Sequence, residues 1–204
     1  MRDSRLRRPA VVPDIVSGTV ELTTTPPLVQ RPSGIGYAKE HPADRDRRGV
    51  LWLRVASNPD GARGRPEFGR VHPLRQRRVM RRHLCQICSR PASRTALGTL
   101  WLIEDHRGEG PDWPEGCATV HPPLCVACAE VSVRLCPHLR DGWAAVRAQD
   151  PQIQGVYGQR YTPGLLAPRA QGPGVVRYDT HQAAWVLAAS QSITLYDCTL
   201  VDLP

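Results

Sequence analysis

Two Cys-x-x-Cys pairs constrain this chain more than any other feature: Cys85-Gln-Ile-Cys88 and Cys125-Val-Ala-Cys128 stand 36 residues apart. In such a turn both sulfurs face one side, so two turns brought together offer four thiolates at the tetrahedral corners Zn²⁺ prefers, about 2.3 Å from the metal. The spacing exceeds the roughly 15 to 20 residues of the common zinc pattern, so the segment between must carry structure of its own. Thr99-Leu-Trp-Leu-Ile103 reads as a strand and Ala118-Thr-Val120 as a returning one, with a turn-rich stretch from His106 to Gly116 between them. Pro122-Pro123 stops any strand, and Leu124, Cys128, Val131 and Leu135 recur at helical spacing, which predicts a helix over Cys125 to Leu135. A helix N-terminus favours thiolate over thiol at Cys125 and Cys128.

A Cys-x-x-Cys pair can also be a redox dithiol, and free cysteines are often buried small hydrophobes. Two pairs in this order of elements favour one structural Zn²⁺ on Cys85, Cys88, Cys125 and Cys128, with His121 as an alternative to one of the sulfurs. Cys117, Cys136 and Cys198 are left over. Cys136-Pro-His138 together with Cys117 or His121 forms a second site, or these groups simply pack; the sequence does not choose. No apolar run reaches membrane-spanning length, and Met1 to Gly18 lacks the apolar core of a signal peptide. These features predict a cytoplasmic protein with no membrane partner, and in that reducing setting seven cysteines argue for metal rather than disulfides.

Knuckle, hairpin and a helix whose first turn holds the last ligand pair is a layout that resembles the treble-clef zinc fold over residues 85 to 136. With Asp105-His106 on the intervening strand, residues 85 to 130 are also partly similar to zinc-containing HNH nucleases. That resemblance implies His106 as the base that activates water and Asp105 as a ligand of a catalytic metal. Two of that family's groups are missing here: the lone Asn of the chain, Asn58, lies upstream of the motif, and Ala129 stands after Cys128 where a His is often found. General-base chemistry needs its water held on a metal, so the expectation is that the chain is more simply not an enzyme. Arg70-Val-His-Pro-Leu-Arg-Gln-Arg-Arg78, the two cysteine pairs and Arg134-Leu-Cys-Pro-His-Leu-Arg140 together resemble a set of uncharacterised actinobacterial zinc-binding proteins. That likeness implies a bacterial cytoplasmic origin and no activity.

Charge is sharply segregated. Residues 1 to 94 hold 20 Lys and Arg against 8 Asp and Glu, whereas residues 95 to 204 hold 7 against 11. No acid occurs from Arg70 to Arg94, and the densest run, Arg75, Arg77, Arg78, Arg81 and Arg82, feeds straight into the first cysteine pair. Pro73 is placed to open a helix there. Arginines held beside a zinc knuckle suit the phosphates of DNA or RNA, so the first functional expectation is a non-enzymatic nucleic-acid-binding or regulatory module. A protein-interaction adaptor is the alternative, because charge runs are often plain solvated or docking faces; a degenerate HNH-like nuclease is the third.

The fold class expected is α+β: a small treble-clef zinc module over residues 49 to 147, a small C-terminal α+β unit over 148 to 204, and an irregular basic arm over 1 to 48. The arm follows from Arg2, Arg5, Arg7 and Arg8 and a run of prolines from Pro9 to Pro32. Gly49 to Ser57 reads as a strand, Asp141 to Arg147 as the extension of a second helix, Ile153 to Tyr161 and Val175 to Tyr178 as strands, Thr180 to Ser190 as a helix, and Ile193 to Val201 as a final strand.

Overall fold

A computed structural model of the chain describes residues 11–56, 60–108 and 110–203. Arg2, Arg5, Arg7, Arg8 and Asn58 lie outside the described residues. Short ribbons come first: β1 (Val16–Gly18), β2 (Thr23–Thr24), β3 (Leu28–Arg31), β4 (Gly34–Tyr37), β5 (Leu51–Trp52), β6 (Arg54–Val55) and β7 (Pro66–Val71). Helix α1 (Pro73–Arg81) leads into the first cysteine pair, followed by β8 (Arg94–Thr95), β9 (Gly98–Glu104) and β10 (Ala118–Thr119). Helix α2 (Val126–Leu135) starts inside the second pair, and three strands close the chain: β11 (Trp143–Thr162), β12 (Arg169–Arg177) and β13 (Val186–Val201). No described helix is long and apolar enough to cross a membrane.

The architecture rests on β11 and β13, 20 and 16 residues long, which pair antiparallel from Ala145↔Val201 to Arg160↔Val186. The other edge of β11 is shared. Its first residues pair with β9, from Trp143↔Glu104 to Ala148↔Thr99, and its last pair with β12, from Gly155↔Arg177 to Thr162↔Arg169. Likewise β13 takes β10 at Ile193 and Thr194 and, in parallel, β5 at Leu187 and Ala188. The result is one mixed seven-stranded sheet.

Side chains alternate across a strand, so each end of this sheet has two faces to cover. At the β9 end, Trp101 and Ile103 pack with Ala144, Val146, Ala148, Ile193 and Leu195 against Met80 of α1. Leu100 and Leu102 point the other way, with Ala145, onto Cys85, Leu124 and Ala129. At the β12 end, Val156, Val176, Val186 and Ala188 cluster with Val50 and Trp52 on one face, and Leu187 with Ile35, Tyr37 and Leu51 on the other. Gln76 locks α1 to the sheet. Its Nε2 donates to the carbonyls of Val120 and Gln191, each at 2.9 Å, and its Oε1 accepts from the Gln191 N–H at 2.9 Å.

The expected fold class is therefore corrected. The molecule is mostly β, with two α-helices of 9 and 10 residues among the described residues, and not a small zinc module joined to a separate α+β unit. Three misread segments share a physical cause. Ala144 to Ala148, Ala-rich and helical by propensity, is strand because β9 and β13 flank it and bury Ala144, Ala145, Val146 and Ala148. Thr180 to Ser190 is a short 3-10 turn, His181–Trp185, followed by β13, because Val186, Leu187 and Ala188 are needed in the sheet. The stretch expected as an irregular arm places Ile35 and Tyr37 in the core at 1% and 0% exposure, so from residue 16 onward it belongs to the fold. A hairpin does stand between the cysteine pairs, but it joins β8 to β9 rather than Thr99–Ile103 to Ala118–Val120: β9 pairs with β8 and β11, and Ala118–Thr119 pairs with β13. A strand buried on both faces such as β9 is better completed by a long partner than by a two-residue one.

Candidate metal centre

Helix α1 ends at Arg82, and His83 turns the chain with φ 48°. The knuckle that follows is closed by backbone hydrogen bonds from Cys85 N–H to Arg90 C=O at 2.7 Å and from Ser89 N–H to Cys85 C=O at 2.9 Å, with Ser89 itself left-handed at φ 57°. The second pair arrives through Pro122-Pro123. Leu124 N–H donates to Leu100 C=O at 2.9 Å and Gln86 N–H to Pro123 C=O at 3.0 Å, so β9 sets the distance between the two turns. Cys125 is the N-cap of α2 and its side chain makes no cap hydrogen bond, which leaves the sulfur directed at the cluster.

The sulfurs of Cys85, Cys88, Cys125 and Cys128 all lie within 4.8 Å of one another, and Cys88 Sγ is 3.9 Å from Cys125 Sγ. A tetrahedron with sulfurs about 2.3 Å from its centre has edges of about 3.8 Å, so the cluster is close to the spacing of a four-thiolate metal cage. All four cysteines are free thiols, with Cys85 fully buried. Burial pushes the Cys85 and Cys128 thiols up. At Cys88 burial acts the same way but is outweighed by hydrogen bonds from the Arg90 backbone and side chain and from neighbouring thiols, which bring it down to about 7. Four crowded thiols cannot all ionise unaided. A bound dication removes that conflict, and the Arg90 guanidinium offsets part of the remaining negative charge.

An unexpected strap reinforces the knuckle. Asp14 N–H donates to Ile87 C=O at 2.9 Å, the Ser89 hydroxyl donates to the Asp14 carboxylate, and Arg63 reaches the same carboxylate at 3.0 Å. No local signal in the sequence marks Asp14 as a partner of residues 73 positions away.

The five arginines singled out divide sharply. Arg75 is consumed internally: its guanidinium holds Glu21 through two hydrogen bonds and donates to the carbonyls of Asp14 and Val16 at 2.5 and 2.7 Å. Arg77 lies 4.0 Å over the Trp52 ring, half-buried. Arg78, Arg81 and Arg82 are exposed, although Arg78 comes within 3.9 Å of Asp14. The chain then folds back, with Ala92 N–H donating to His83 C=O at 3.1 Å, and this brings exposed Arg90 and Arg94 to the same edge.

The remaining candidates are not assembled into a catalytic site. Asp105 is held by Arg107 at 2.5 Å, which lowers its carboxyl to about 2, and His106 sits 3.4 Å from the exposed Glu104. Ala129, in the position of the missing histidine, is buried under β9. Cys117 and Cys198 pack beside Trp101, on the face of the sheet opposite Cys136, so Cys117 and Cys136 cannot share a metal. Cys136 and His138 instead line an apolar groove together with the exposed His121. Among the described residues, Cys85, Cys88, Cys125 and Cys128 form the single group of three or more metal-capable side chains. No family model, curated protein or solved structure matches the chain.

Proposed function

We propose that this chain is a non-catalytic, cytoplasmic binding module in which Zn²⁺ on Cys85, Cys88, Cys125 and Cys128 fixes a basic edge for nucleic-acid phosphates. The observation that carries this reading is the edge itself. Arg78, Arg81, Arg82, Arg90 and Arg94 are exposed around the knuckle and the stretch from Arg70 to Arg94 itself holds no acid, although Asp14, from outside it, stands 3.9 Å from Arg78. Zinc is favoured over other ions because four thiolates in tetrahedral array are its usual structural ligand set. An edge held by a metal cage and by α1 loses little ordering entropy on binding. Arg75 and Arg77, engaged inside the fold, contribute stability rather than phosphate contacts.

The test is fluorescence anisotropy of labelled duplex DNA and single-stranded RNA against salt. Engagement of three to five arginines gives a slope of log K against log salt of roughly −3 to −4 on duplex DNA, with little sequence preference. Arg78→Gln, Arg81→Gln and Arg82→Gln combined should weaken binding to unrelated sequences by similar factors while zinc content stays unchanged. If wild type shows no salt-dependent binding, or the triple variant binds as tightly, the edge is only solvated. The adaptor reading then replaces it, favoured by a specific feature: Val11, Phe68, Val71 and Leu135, all exposed, surround the groove beside α2.

A further inference from the structure

Among the described residues, two apolar features stand unmatched at opposite ends of the sheet. One is the loop after β11, Pro163 to Pro168, where Leu165 and Leu166 are 99% and 97% exposed. The loop has a fixed base: Gly164 N–H donates to the side chain of Gln30 at 2.8 Å, and Thr162 pairs with Arg169 across the hairpin. Folded proteins rarely leave two adjacent leucines so exposed unless something covers them. The other is the groove between α2, β7 and the strap, about 220 Å³ in volume and lined by Val11, Phe68, Val71, Ile87, Leu135 and Leu139. Deleting a single buried leucine side chain can leave a cavity on the order of 150 Å³, so the groove has room for one leucine and much of a second.

We propose that the Leu165–Leu166 tip of one copy inserts into the apolar groove of a second copy of this chain, in a head-to-tail contact. Charge supports the pairing. Arg160 and Arg169 flank the tip, and Glu104, 72% exposed, stands at the groove. Topology makes the contact intermolecular. Glu104 pairs with Trp143, the first residue of β11, whereas the tip follows Thr162, the last, so the two stand at opposite ends of a 20-residue strand. The tip of a chain cannot reach that chain's own groove. Because tip and groove are different surfaces, the contact is heterologous: it propagates through successive copies rather than stopping at a two-fold dimer. The patch is small beside a standard protein interface, so association is weak, in the high-micromolar range.

Sedimentation velocity on the full zinc-loaded chain, up to about 1 mM, tests this. The expected result is a weight-average mass that keeps rising past the dimer. A tip variant, Leu165→Ser with Leu166→Ser, and a groove variant, Leu135→Asp, should each be monomeric, with zinc content and circular dichroism unchanged; Phe68→Ser serves as the groove variant if Leu135→Asp misfolds. Mixed in equal amounts, tip and groove variants retain one productive contact between them and should form a two-chain species and nothing larger. A monomeric wild type, a mixture that stays monomeric, or self-association that survives in both variants overturns the proposal.

Discussion

The two ends of the long sheet solve one problem by different means. At the β9 end, the face carrying Leu100 and Leu102 is covered by two short turns and a ten-residue helix, which bring Ile87, Val126, Val133 and Leu139 onto it, and four cysteines gathered within 4.8 Å stand in the same cover. At the β12 end there is no such cluster among the described residues; Ile35, Tyr37, Leu51 and Leu187 interlock directly, and the Tyr37 hydroxyl donates to Trp52 C=O at 3.0 Å. The difference teaches that a metal on the four thiols would pin separate short segments together at one end, whereas direct packing serves at the other. It also predicts that the two ends respond separately to perturbation.

The largest expected effect is metal removal. Chelation, or Cys125→Ser, should cost on the order of 10 kcal/mol of coupled binding and folding at the β9 end. Hydrogen exchange should then rise in α2, the knuckle and β9, while amides shared by β11, β12 and β13 beyond Gly155 keep their protection. A metal-free protein with an unchanged melt would show that the cysteines are only packed thiols.

The converse perturbation is Tyr37→Ala, which empties a fully buried aromatic site at the other end and should cost about 4 kcal/mol. Zinc stoichiometry should stay at one per chain, as read by elemental analysis. Loss of metal from this variant would mean that the ends are not independent.

A third test concerns the strap that joins the ribbons to the cysteine end. Its buried Glu21 accepts from Arg75 and from Gly18 N–H at 2.8 Å, and Arg75 foremost holds its carboxyl down at about 2. A folded pKa below the unfolded one gives stability that is present above about pH 4.5 and lost as pH falls toward 2; the shift corresponds to about 3 kcal/mol. Urea titrations of wild type and Glu21→Gln should differ by about this much at pH 6 and converge near pH 2. A gap that persists in acid would rule the ion pair out as its source. The smallest effect should come from the exposed edge, where Arg78→Gln, Arg81→Gln and Arg82→Gln together change stability by within about 0.5 kcal/mol while changing phosphate affinity.

What could be read in advance follows the range of the interactions. The two cysteine pairs that meet in the fold, the Pro73 start of α1 and the Cys125 start of α2 were legible in the sequence because each depends on chemistry local to a few residues: a sulfur pair at fixed spacing, a proline ring that presets φ, a helix terminus. That they form one cluster could be inferred from valence, since four thiolates satisfy one tetrahedral ion. Strand partnership could not, because whether β9 pairs with β10 or β11 depends on burial summed over residues far apart in the chain, and Ala144 to Ala148 takes strand geometry only when β9 and β13 flank it. The same long range decides which arginines are free: Arg75 and Arg78 read alike in sequence, and only the arrival of Glu21 and Val16 from 54 and 59 positions away makes one a buried clamp and leaves the other on the surface.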